Sequence, residues 1–94
     1  MVKDLDFVVS VVALIRDAID TDNVGLLLTQ LTGKFKNEES IRLRLLANNI
    51  ITSEIRTEPV TDEASAKVVL EAFKHKNKEN FYLKLAAKLY SSEQ

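Results

Sequence analysis

His75 is the one histidine of the 94-residue chain, and imidazole is the side chain that titrates nearest neutrality. Lys74 and Lys76 flank it, which marks it as a surface residue at a helix end rather than a general base. The acidic pair Glu38-Glu39 invites a metal reading, but neighbouring residues on a helix point about 100° apart and cannot chelate one ion. Both fit better as first-turn charges that complement a helix dipole, and Asp62-Glu63 reads the same way. Ser10, Ser40, Ser53 and Ser65 have no histidine beside them to act as a local base. Gly25 and Gly33 are isolated, so no glycine-rich phosphate loop is present. Without cysteine there is neither a disulfide framework nor a thiolate metal site. These residues predict no catalytic residue, no cofactor and no metal, hence a non-enzymatic chain.

Composition narrows the class. Hydrophobic residues make up 46% of the chain, too many for a disordered segment. Thirteen basic and fourteen acidic side chains leave a formal charge of −1, which excludes a generically polybasic nucleic-acid binder. Two glycines and one proline leave little turn chemistry for a many-stranded β fold. The most apolar run, Phe7 to Ile15, is far short of the about 20 residues that span a bilayer. Asp4 and Asp6 before it do not suit a secretory signal. The absence of cysteine makes a reducing, cytoplasmic location the expectation.

Helical periodicity supplies the elements. Leu5, Val8, Val12, Ile15 and Ile19 recur at spacings of three and four, behind Asp4 or Asp6 as caps, and Phe7, Val11, Leu14 and Ala18 widen that face. Asn23 opens a second helix with Val24, Leu27, Leu28, Leu31 and Phe35 on its stripe and Lys34 and Lys36 at its C-terminal end. Asn37 caps a third, whose inner face is Leu43, Leu46, Ala47, Ile50 and Ile51, extended by Ile41, Leu45 and Ile55. Pro59 enforces a break. Thr61 caps a fourth helix with Ala66, Val69, Leu70 and Phe73 inward. Asn77 caps a fifth with Tyr82, Leu85, Ala86 and Leu89 inward, and residues 91–94 fray. The predicted fold is all-α: five helices stacked as antiparallel hairpins in one domain over residues 1–94.

Displacing the chain by 40 residues aligns Lys34, Lys36, Asn37, Glu39, Leu43, Leu45 and Ala47 with Lys74, Lys76, Asn77, Glu79, Leu83, Leu85 and Ala87. The shared pattern is a cap, an acid in the first turn and the start of an amphipathic helix. Residues 24–55 and 64–90 are therefore expected as units of a helical repeat.

Charge order points to a partner surface. Residues 1–23 hold two basic and five acidic side chains, a balance of −3. Residues 74–90 hold five lysines against Glu79, a balance of +4. Lys74, Lys76, Lys78, Lys84 and Lys88 are expected to be exposed as one basic edge for an acidic protein. The polar arc of the third helix, Arg42, Asn49 and Arg56, is the other candidate surface. RNA comes third, because base stacking needs Phe81 and Tyr82 exposed and both fall at core positions. Asn48, at the edge of that arc, is expected to bond a neighbouring backbone.

The run Ser40-Ile41-Arg42-Leu43-Arg44-Leu45-Leu46-Ala47-Asn48, with Lys34-Phe35 before it and Pro59-Val60 after, resembles the helical-repeat region of PCI-type proteins, nearest their initiation-factor-3 subunit-m-like branch. The resemblance covers about residues 8–60 and lacks the winged-helix part that completes a PCI domain. It implies a scaffold that binds sister subunits. The order Asn48, Ile51, Ile55 and then Val60-Thr61 is similar to immunity proteins against pediocin-like bacteriocins, though the helix at 79–90 departs from that family. That likeness implies a four-helix bundle that recognises a toxin–receptor complex at the inner membrane face. The favoured function is protein–protein interaction, as a helical-repeat scaffold or adaptor.

Overall fold

Capping residues set where the helices begin. In a computed structural model, which describes residues 4–91, they are α1 (Leu5–Asp20), α2 (Val24–Thr32), α3 (Glu38–Glu54), α4 (Glu63–Phe73) and α5 (Lys78–Ser91). Asp4 Oδ1 accepts from the Asp6 N–H at 3.0 Å. Asn23 Oδ1 accepts from Leu26 at 3.0 Å, and Asn37 Oδ1 from Glu39 at 2.8 Å. Asn77 Oδ1 accepts from Asn80. Each bond satisfies an N–H that the first helical turn leaves without a partner. The α4 cap is Asp62 rather than Thr61. Its carboxylate accepts from the Ser65 N–H at 2.9 Å, and the Asp62 N–H donates to Ser65 Oγ at 3.0 Å, a reciprocal box. Of residues 91–94, expected to fray, Ser91 is the last residue of α5, and the rest lie outside the described ones.

Helix α2 ends three residues before Phe35, so the expected extension of its stripe to Phe35 is not realised. Gly33 leaves the helix in an extended conformation, and a Cβ there would collide with the Thr29 carbonyl oxygen. The lysines read as complements of the α2 dipole therefore lie beyond the helix. Arg44 of α3 takes that role: its Nη1 donates to the Gln30 carbonyl oxygen at 3.0 Å, in the last turn of α2.

Helices α1 and α3 both close with a left-handed residue. Asp22 (φ 55°) follows α1, with Asn23 N–H bonded to the Ala18 carbonyl at 2.9 Å. Arg56 (φ 57°) follows α3, with Thr57 N–H bonded to the Thr52 carbonyl at 2.9 Å and Arg56 N–H to the Ser53 carbonyl at 3.3 Å. This pair of bonds is a Schellman closure.

Helix α1 packs on α2 and α5, α2 also on α3 and α4, and α3 on α5. The buried core joins Val8, Val11, Val12 and Ile15 of α1 to Leu27, Leu31, Leu43, Ile51, Val69, Phe73, Leu85 and Leu89. Val60 of the α3–α4 loop is buried with them. Leu5, expected at the start of the α1 stripe, and Leu14, expected to widen its buried face, are both exposed. Three residues expected in the core, Leu28, Leu46 and Ile50, are only half-buried against it. On α3 the buried face is turned toward Ser40, Arg44, Asn48 and Thr52, beside Leu43, Ala47 and Ile51. Their polar groups are satisfied where they lie, so burial does not leave them unpaired.

The forty-residue motif sets where α3 and α5 start, but it does not set which face each buries. Leu43 and Ala47 are buried while Leu83 and Ala87 are exposed; Leu45 is exposed while Leu85 is buried. Among the described residues no helix is long and apolar enough to cross a membrane.

Candidate functional site

Helix α5 packs against both α1 and α3, with a groove on each flank. On the α1 side, Tyr82 Oη donates to Asp20 Oδ1 at 2.7 Å and ties the start of α5 to the end of α1. Burial, then the hydrogen bond to the Asp20 carboxylate, pushes the Tyr82 phenol well above its ordinary range. From this anchor a groove of about 900 Å³ runs between the helices. Val9, Val12 and Ala13 line one wall, and Leu83 and Ala86 the other. Charges of both signs, among them Arg16, Asp17, Lys78 and Glu79, stand at the Tyr82 end. Leu83 is 73% exposed and Val9 51%.

Neither residue lies on the buried stripe of its helix. Val9 falls outside the Val8, Val12, Ile15, Ile19 spacing, and Leu83 sits between Tyr82 and Leu85 but faces away from the core. That displacement is the signal in the sequence for this surface, since the inward stripes of α1 and α5 include neither residue.

On the other flank, α3 and α5 enclose a groove of about 500 Å³ lined by Asn49, Ser53, Glu54, Arg56, Lys84 and Lys88, with Ile50 beside them. Four of the expected partner-binding residues thus come together: Asn49, Arg56, Lys84 and Lys88. Lys84 Nζ lies 3.0 Å from Glu54 Oε1, and Lys76 Nζ lies 3.8 Å from Glu54 Oε2. The hydrogen bond from Lys84, with the positive charges of Lys84, Lys76 and Lys88, holds the Glu54 carboxyl below the ordinary carboxylate range.

The remaining candidates lie elsewhere. Lys74 pairs with Glu71 at 3.1 Å and faces Asp22 at 3.8 Å, and these acids raise its pKa. Lys78 is half-buried rather than exposed and lines the α1–α5 groove. Arg42 is exposed on α3 and does not line the α3–α5 groove. The five lysines therefore divide among three places instead of forming one continuous edge. His75 is exposed in the turn after α4. Among the described residues, no three histidine or acidic side chains are grouped to hold a metal ion.

Asn48 does bond a neighbouring backbone, that of Val60. Arg44, which the sequence offered only as a charge on a helix, is buried. Its Nε donates to Ser40 Oγ at 2.9 Å, Nη1 donates to Gln30 Oε1, and its guanidinium carbon lies 3.9 Å above the Phe35 ring. Burial lowers its pKa. These contacts make it a brace between α2 and α3.

No family model, no curated protein and no solved structure matches the chain.

Proposed function

We propose that the chain is a non-enzymatic protein–protein interaction module and that the α1–α5 groove receives the apolar face of a helix from its partner. The observation that carries this reading is the placement of Leu83 and Val9 on opposite walls of one groove, both open to water. Full burial of a leucine or valine side chain is favourable by roughly 1.5–3 kcal/mol, and this chain leaves both unburied beside a groove long enough to share them. Two packed helices with an apolar floor between them accept a third helix lengthwise. Charged residues of both signs at one end suit the polar edge of an amphipathic helix.

The reading is tested by comparing what the tagged chain and its Leu83→Gln variant retain from the cells that make it. Exposed surface substitutions shift stability by only about 0.5 kcal/mol, so both should melt alike. The expected result is a discrete protein retained by the parent chain and lost with Leu83→Gln. Retention of the same proteins by Leu83→Gln and by Val9→Gln would overturn the groove assignment.

A further inference from the structure

The α3–α5 groove holds an arginine where the backbone favours glycine. Arg56 closes α3 at φ 57°, the left-handed region in which a Cβ crowds the following carbonyl oxygen. Glycine is the usual residue at this position of a Schellman closure. The position instead carries a long cationic side chain that lines the groove with Lys84 and Lys88. Non-glycine residues held in such conformations point to a use for the side chain. Lys88 and Arg56 form no ion pair among the described residues, and Glu54 is the one acid lining the groove.

We propose that this groove binds an acidic segment of a protein partner, with Arg56, Lys84 and Lys88 meeting its carboxylates and the Asn49 amide and Ser53 hydroxyl donating beside them. The proposal rests on the reading of the chain as a protein-binding module, but on a different flank of α5. Glu54 shows the chemistry within the chain, since Lys84 already holds a carboxylate at 3.0 Å. Lys84 and Lys88, four residues apart, share a face of α5 and present charges at the spacing of successive helical turns. A protein acid suits the groove better than RNA. No aromatic residue lines it, and Phe81 and Tyr82 are buried, so no stacking platform accompanies the cations.

The test titrates a fluorescein-labelled hexaglutamate peptide into the intact chain at low ionic strength and reads anisotropy. Saturable binding is expected. Arg56→Gly and Lys88→Gln should each weaken it about threefold, and the double variant about tenfold, the scale of exposed charge pairs. Lys67→Gln removes the same charge from an exposed site on α4 and should leave binding unchanged. Arg56→Gly should melt at the parent temperature or above, because glycine relieves the left-handed conformation, so its loss of binding is not unfolding. Leu83→Gln should bind the peptide as the parent does, which separates this groove from the one on the α1 side. Absence of saturable binding, equal weakening by Lys67→Gln, or tighter binding of single-stranded RNA than of the peptide would overturn the proposal.

Discussion

Asn48 grips Val60 with both ends of its amide: Nδ2 donates to the Val60 carbonyl at 2.9 Å, and Oδ1 accepts from the Val60 N–H at 2.9 Å. Asn48 is buried in the middle of α3, and Val60 is buried in the loop after Pro59. The side chain replaces the backbone partners that a loop strand lacks in an all-helical fold. It fixes where the chain turns from α3 into α4.

Asn48→Ala leaves both Val60 groups buried without partners. The expected cost is about 2–4 kcal/mol, one to two unsatisfied backbone groups. Urea unfolding measures it. A loss below roughly 0.5 kcal/mol, the scale of a neutral surface change, would mean that the loop is held by Val60 packing alone.

Arg44 and Phe35 form the second long-range brace. The guanidinium lies between the Phe35 ring and the carbonyl end of α2, and no carboxylate among the described residues pairs with it. A double-mutant cycle of Arg44→Met and Phe35→Leu should give a coupling energy of about 1 kcal/mol, the size of a partly desolvated cation–π contact. Arg44→Lys should lose stability too, because an ammonium cannot donate to Ser40 and Gln30 at once with the same planar fork. Zero coupling would assign the effect of Arg44 to its hydrogen bonds alone.

Leucines of α3 separate by face. Leu43→Ala removes a fully buried side chain and should cost about 2–5 kcal/mol. Leu46→Ala removes a half-buried one and should cost less than half as much in the same denaturant melts. Equal losses would return the buried face of α3 to the Leu46–Ile50 side.

Alkaline and acid limits of stability have opposite origins. The Tyr82 phenol is raised in the folded chain, so its contribution is fully present below about pH 10, the unfolded value, and is lost as pH rises beyond it. The Glu54 carboxyl is lowered, so its contribution is present above roughly pH 4.3 and is lost as pH falls below that value. In a Tyr90→Phe chain, Tyr82 is the sole tyrosine. Its phenolate absorbance should then rise together with the loss of helical circular dichroism. Ionisation well before unfolding would place Tyr82 in solvent.

The number of helices and most of their starts were legible, because Asn23, Asn37 and Asn77 announce themselves as caps beside periodic apolar stripes. The end of α2 was not, since Phe35 continues the period while Gly33 breaks the backbone. The buried face of α3 was misread for a related reason. Hydropathy favours Leu46 and Ile50 over Arg44, Asn48 and Thr52, and it cannot register that Gln30 and Val60 will be there to satisfy the polar groups. The candidate site was legible in part. Lys84, Lys88, Asn49 and Arg56 were individually expected, but their convergence needs the packing of α3 on α5. The α1–α5 groove was hidden, because the inward stripes leave out Val9 and Leu83, and only the packing of α1 on α5 brings the two to one groove.

Photo-crosslinking from position 83 tests the central claim most directly. A benzophenone amino acid in place of Leu83 should join the chain to one discrete protein in the cells that make it. The same group at Leu45, which is 58% exposed on α3, should not. Identical adducts from both positions, or none from position 83, would contradict a partner helix in the α1–α5 groove.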